Sequence, residues 1–282
     1  MKTPLSVQRA DVRMVGAGPR LAAVAMVLVL AGCAGGPMVT RTSPPVASAA
    51  LRTAATGGLR TMAPSLAEGK HAVFSAYNRK SKVKWAGGAL RAVDLSGVGW
   101  DEQRSVTLIS PRHVIMAAHY PRRVGAMVVL HDREGERHER FVIRIEAGAN
   151  DIAVGLLNRP VPVTHYRVLA PRPDYDALLR GVPVLVTNCR RYVMVHQVAG
   201  VSGGVIRFGP TDIPGVAGKL IVGDSGNPSF LLVNGEPVLV ETHTTGGFGS
   251  GPFLSDPANF AEINRMMRAL GGGEQLEVVA VR

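Results

Sequence analysis

Beyond about residue 70 the chain is a succession of short apolar runs separated by turn residues: SVTLIS, HVIMAAH, GAMVVLHD, RFVIRIE, DIAVGLL, VPVLVTN, RYVMVHQV, GGVIRFG, GKLIVG, PSFLLV and EPVLVETH. Runs of this length, rich in Val and Ile and broken by segments such as REGER and VNGE, predict strands of an antiparallel barrel or sandwich. Asn234-Gly235, between SFLLV and PVLVE, suits a two-residue hairpin turn because both central positions need positive φ. One helix stands out near the end, with Ser255 or Asp256 as N-cap and Pro257 in its first turn. Phe260, Ile263, Met267 and Leu270 form its apolar face and Gly271 closes it. The 33 glycines and 19 prolines are spread along the chain, which favours a loop-rich β protein over a helix bundle.

The 282 residues, 46% of them apolar and 19% charged, suffice for one well-packed domain plus appendages. Residues 1–32 have the pattern of a targeting segment: Lys2, Arg9, Arg13 and Arg20, then the apolar run LAAVAMVLVLAG from Leu21 to Gly32. That run is too short to cross a hydrocarbon core of about 30 Å as a helix. The sequence Leu30-Ala31-Gly32-Cys33 resembles the bacterial lipobox, which implies cleavage before Cys33 and lipidation of its thiol. Acyl chains stabilise membrane attachment by about 0.8 kcal/mol per buried methylene, so Cys33 is the expected membrane anchor. Ala34 in place of Asp after the cysteine is similar to outer-membrane sorting in Gram-negative lipoproteins, facing the periplasm. Residues 33–70 are rich in Gly, Ala, Ser, Thr and Pro and predict a flexible tether, leaving 71–282 as the folded domain.

The net charge is +11, of which the targeting segment carries +3. The remainder is scattered as single arginines and pairs such as Arg122-Arg123 and Arg190-Arg191, without interleaved aromatics, so no nucleic-acid partner is expected. Once Cys33 is lipidated, Cys189 is the only remaining thiol and no internal disulfide can form. Cys189 reads as a core thiol rather than a nucleophile, since no His-containing motif accompanies it. His131 and His138 flank a charged segment, HDREGERHER, which predicts a solvated hairpin rather than a metal site. The residues suggest no cofactor, and Met116, Met194, Met266 and Met267 look like packing residues.

Three segments carry chemistry: Thr107 to His119 (TLISPRHVIMAAH), Asn150-Asp151-Ile152-Ala153, and Gly223-Asp224-Ser225-Gly226-Asn227-Pro228. A serine hydroxyl is a weak nucleophile near neutral pH and needs a base to take its proton, a role that suits His119, with Asp151 to orient and stabilise the imidazole. The three segments resemble the signature of the chymotrypsin/trypsin-like serine proteases, in that family's order His, Asp, Ser. The gaps are 32 residues from His119 to Asp151 and 74 from Asp151 to Ser225.

The resemblance covers roughly residues 75–270 and implies two antiparallel six-stranded β-barrels with a C-terminal helix, within an all-β fold. It implies a serine endopeptidase acting on protein or peptide substrates through an acyl-enzyme on Ser225, with the Gly223 and Ser225 amides as oxyanion hole. By the same resemblance Lys219, His243, Thr244, Gly246 and Gly251 fall on the primary specificity pocket, where Lys219 and His243 would suit acidic side chains, and a tolerant or small-residue pocket is the favoured option. In the family's zymogens the aspartate matching Asp224 pairs with a freed amino terminus. No Ile-Val-Gly-Gly-like sequence follows the tether here, so an arginine or an internal cut is expected to serve Asp224, without a trypsin-style activation step. The reading from a different class is a non-catalytic lipoprotein that uses the same fold as a binding module.

Overall fold

In the computed structural model the residues described are 46, 48–67, 71–100 and 103–281. The targeting segment, Cys33 and the first part of the expected tether lie outside them. The apolar runs form twelve barrel strands in two six-stranded antiparallel sheets. The first sheet contains β1 (Val98–Gly99), β2 (Val106–Leu108), β3 (His113–Ala117), β4 (Met127–His131), β5 (Arg137–Ala147) and β6 (Ile152–Leu157), in the order β1-β2-β3-β6-β5-β4. The second contains β7 (Pro183–Thr187), β8 (Val193–Ser202), β9 (Val205–Gly209), β10 (Pro228–Val233), β11 (Glu236–Thr242) and β12 (Ser250–Pro252), in the order β11-β10-β7-β8-β9-β12. The fold is all-β as expected, with one sheet curled into a nearly closed barrel and the other into a half-barrel. Curling lets each sheet bury its inner face without a partner sheet.

The local signals hold where backbone chemistry decides them. Asn234 and Gly235 have φ of 53° and 81° and join β10 to β11 as a tight hairpin. The described helices are α1 (Ser48–Ala67), the short α2 (Tyr175–Leu179) and the C-terminal α3 (Pro257–Leu270), where the Asp256 side chain accepts from the Ala258 and Asn259 amides, satisfying donors that a helix start leaves unpaired. Met116, Met194, Met266 and Met267 are all buried, as expected. The charged hairpin between β4 and β5 differs from expectation at one end. His131 is fully buried, with its ring against Phe74 and Tyr77, while His138 bonds Asp132 at 2.9 Å.

The tether expectation is corrected over most of its length: α1 spans Ser48–Ala67. Its buried residues Leu51, Ala55, Leu59, Met62 and Leu66 recur at intervals of three and four, which puts them on one face. Gly58 allows a close approach to the second sheet, since a Cβ there would stand 3.1 Å from both the Cβ and the carbonyl oxygen of Leu232. The first half of α1 joins the core inside the second sheet, and Leu59 to Leu66 join the large core between the sheets with Trp100, Phe230 and Ile263. The alanines favour helix and the spaced leucines supply burial, which together outweigh Gly57, Gly58 and Pro64. Leu59→Ala is expected to lower stability by about 2–4 kcal/mol, measured by urea unfolding, whereas a tether residue would leave the midpoint unchanged.

Candidate active site

His119, Asp151 and Ser225 come from three different connections and meet in one place. His119 follows β3, whose residues are all buried, so the strand fixes where the ring leaves the sheet. Asp151 sits in the turn between β5 and β6, where Asn150 and Asp151 both have positive φ, 53° and 62°. Asn and Asp tolerate that region better than other side chains, which is the backbone reason for this pair of residue types. Asn150 Nδ2 donates to Asn259 Oδ1 at 2.8 Å, and Asn259 Nδ2 donates to the Gly204 and Phe253 carbonyls, so α3 and the second sheet hold the turn.

The side chains form a continuous relay. His119 Nδ1 lies 2.7 Å from Asp151 Oδ2, and His119 Nε2 lies 2.9 Å from Ser225 Oγ. A carboxylate only accepts, so Nδ1 carries the proton and Nε2 is free to accept from the serine hydroxyl. Asp151 is fixed by two further donors: the His119 amide at 2.7 Å to Oδ1 and the Thr244 hydroxyl at 2.8 Å to Oδ2. The aspartate is mostly covered, with 17% of its side chain exposed, while the His119 ring is 46% exposed and open to a reactant.

Ser225 lies at the tip of a tightly constrained loop. Gly223 and Gly226 have φ of 102° and 83°. A Cβ on Gly226 would stand 2.9 Å from the Ser105 carbonyl oxygen, so glycine is required where this loop meets the first sheet. The Gly226 amide donates to the His243 carbonyl and the His243 amide to the Asn227 carbonyl, both at 2.9 Å. The amides of Gly223 and Ser225 bond to none of the described residues and remain free to donate to an oxyanion.

Asp224 is buried, and among the described residues its partners are backbone amides rather than an arginine. Oδ1 accepts from the Cys189 amide at 2.9 Å and Oδ2 from the Ile221 amide at 2.7 Å. Burial, and then the Asp224 carboxylate beside it, push the Cys189 thiol up to about 11. Cys189 is therefore a poor nucleophile, as expected, but it is half-buried against Asp224 rather than in the core. The turn carrying it is built on Asn188, whose side-chain oxygen accepts from the Arg190 and Tyr192 amides.

The five residues that the resemblance assigns to the pocket differ in exposure and partners. Lys219 is exposed, whereas His243 is 1% exposed with Nε2 3.0 Å from the Thr187 carbonyl oxygen. Thr244 serves Asp151. Gly251 makes room for the Glu241 carboxylate, since a Cβ there would stand 2.2 Å from Glu241 Oε2. Gly246 is exposed beside the Leu220 carbonyl oxygen. Glu241, absent from the sequence expectations, is fully buried 2.7 Å from His243 Nδ1. The contact lies off the hydrogen-bonding direction, so it holds mainly as an ion pair. Its signal in the sequence is a charged residue inside the apolar run VLVETH, two positions from a histidine and therefore on the same strand face.

No protein-family model matches the chain, and no curated protein matches it. Among the described residues no group of three or more His, Cys, Asp or Glu is placed to hold a metal ion. Burial alone would lower the His243 pKa, but the Glu241 charge and the Thr187 carbonyl hold it above the ordinary 6.5. The raised value makes this stabilisation full below pH 6.5, and it is lost as pH rises through the folded-state value. Glu241→Gln should cost about 3–5 kcal/mol at pH 6 by urea unfolding. The gap to wild type should narrow at higher pH, and a gap independent of pH would count against the ion pair.

Proposed function

We propose that the protein is a serine endopeptidase of the chymotrypsin-like kind, hydrolysing peptide bonds through an acyl-enzyme on Ser225. The observation that carries this reading is the unbroken relay from Ser225 Oγ through His119 to Asp151, on a loop whose Gly223 and Ser225 amides bond to none of the described residues. In the proposed reaction His119 Nε2 takes the hydroxyl proton as Oγ bonds to the scissile carbonyl carbon. The carbonyl oxygen becomes an oxyanion facing the Gly223 and Ser225 amides. His119 then gives the proton to the leaving amine as the carbon–nitrogen bond breaks. Water, deprotonated by the same ring, attacks the ester and releases the acid, restoring Ser225. Asp151 stabilises the imidazolium in both halves, and the three donors to its carboxylate keep it aligned.

The lipobox-like Leu30 to Cys33 supports placing the enzyme in the cell envelope, held on a membrane through lipidated Cys33. No helix among the described residues is long and apolar enough to cross a membrane. The buried Asp224, already held by two amides, supports activity without proteolytic release of an amino terminus.

Incubation with a fluorophosphonate probe is expected to label Ser225 in the full chain and not in Ser225→Ala. Asp151→Asn should retain the fold and lower peptide hydrolysis by about four orders of magnitude. A folded wild-type protein that takes no label would overturn the reading.

A further inference from the structure

The geometry points to a closed primary side-chain slot, so that the residue donating the scissile carbonyl must be Gly or Ala; this rests on the proposed hydrolase reading. A carbonyl attacked by Ser225, with its oxygen on the Gly223 and Ser225 amides, places the side chain of its own residue a few bonds away. The neighbouring walls are the segment leading into Gly223 and the segment after His243, which is hydrogen-bonded to the Ser225 loop. These walls pair directly with each other. Leu220 N donates to the Gly247 carbonyl at 2.7 Å and Gly247 N donates back to the Leu220 carbonyl at 3.0 Å. Backbones paired in this way run about 5 Å apart. A side-chain carbon inserted between them must stand about 3.5–4 Å from each, which requires walls about 7–8 Å apart.

Three further features keep the walls together. The Leu220 side chain is 3% exposed and packs into the second-sheet core. Its Cδ1 stands 2.5 Å from where a Cβ on Gly249 would be, so it turns under the opposite wall. His196 lies fully buried beneath both, with Nδ1 2.7 Å from the Phe248 carbonyl oxygen and Nε2 2.9 Å from that of Gly218. The Glu241–His243 pair fills the space below, against Gly251. A methyl group resting on the wall edges fits this arrangement, and a longer side chain meets paired backbone.

The test is a panel of peptides differing only at the residue before the scissile bond, assayed with the full chain. Ala and Gly should exceed Leu, Phe, Lys and Glu by about 100-fold in kcat/KM. Leu220→Ala, which releases the wall from the core, should shrink that preference at least about tenfold. Hydrogen exchange of the free protein should show slow exchange at the Leu220 and Gly247 amides. Efficient cleavage after Phe, Lys or Glu, with Ser225 still labelled, would overturn the closed slot and leave the hydrolase reading standing. Absence of both cleavage and label would overturn the hydrolase reading and the residue preference with it. In that case the exchange result still decides the wall pairing: slow exchange upholds it and fast exchange overturns it.

Discussion

One carboxylate joins the two sheets at the point where the chemistry is proposed. Asp151 belongs to a turn of the first sheet, and it accepts from the His119 amide and ring and from the Thr244 hydroxyl of the second sheet. A carboxylate this enclosed is tolerable only when its lone pairs are used, and three donors use them. The turn that presents it has two consecutive residues at positive φ, a conformation that Asn150 and Asp151 tolerate and that Asn259 of α3 fastens from the far side. Sheet geometry, helix position and the Ser225 loop all have to agree for this junction to close. Gly226 marks how tightly they agree, since it touches the first sheet where a methyl group would not fit.

The loop bearing Ser225 is organised from within. Asp224 turns inward to accept from Ile221 and Cys189, while the Gly223 and Ser225 amides bond to none of the described residues. Preorganised donors need no rearrangement at the moment charge develops, which is the physical advantage of spending fold stability on such a loop. The Asn188 turn supplies the anchor that the sequence suggested an arginine or a new terminus would provide. The β7–β8 connection does this work across 35 residues of sequence because the fold lays it next to Asp224.

What was legible in the sequence follows from the range of each interaction. The Asn234-Gly235 hairpin and the Asp256 cap are decided within a few residues, and both stand where the chain predicts them. His119, Asp151 and Ser225 were legible as motifs, and the structure brings them within hydrogen-bonding distance. α1 was not legible, because its Gly, Ser, Thr and Pro content hides a four-residue spacing whose meaning depends on a distant surface at Leu232. The shape of the pocket was not legible for a related reason. Whether Lys219 and His243 share a cavity depends on the Leu220–Gly247 pairing and on Glu241, neither of which the resemblance supplies.

The central claim is that His119 is held in solution between a carboxylate and the Ser225 hydroxyl. Low-field proton NMR of the full chain tests it without requiring substrate. The proton shared by His119 Nδ1 and Asp151 should resonate well downfield of the backbone amides in the wild type and in Ser225→Ala, and should vanish in Asp151→Ala. A folded wild-type protein lacking that resonance at any pH where the ring is ordered would contradict the account.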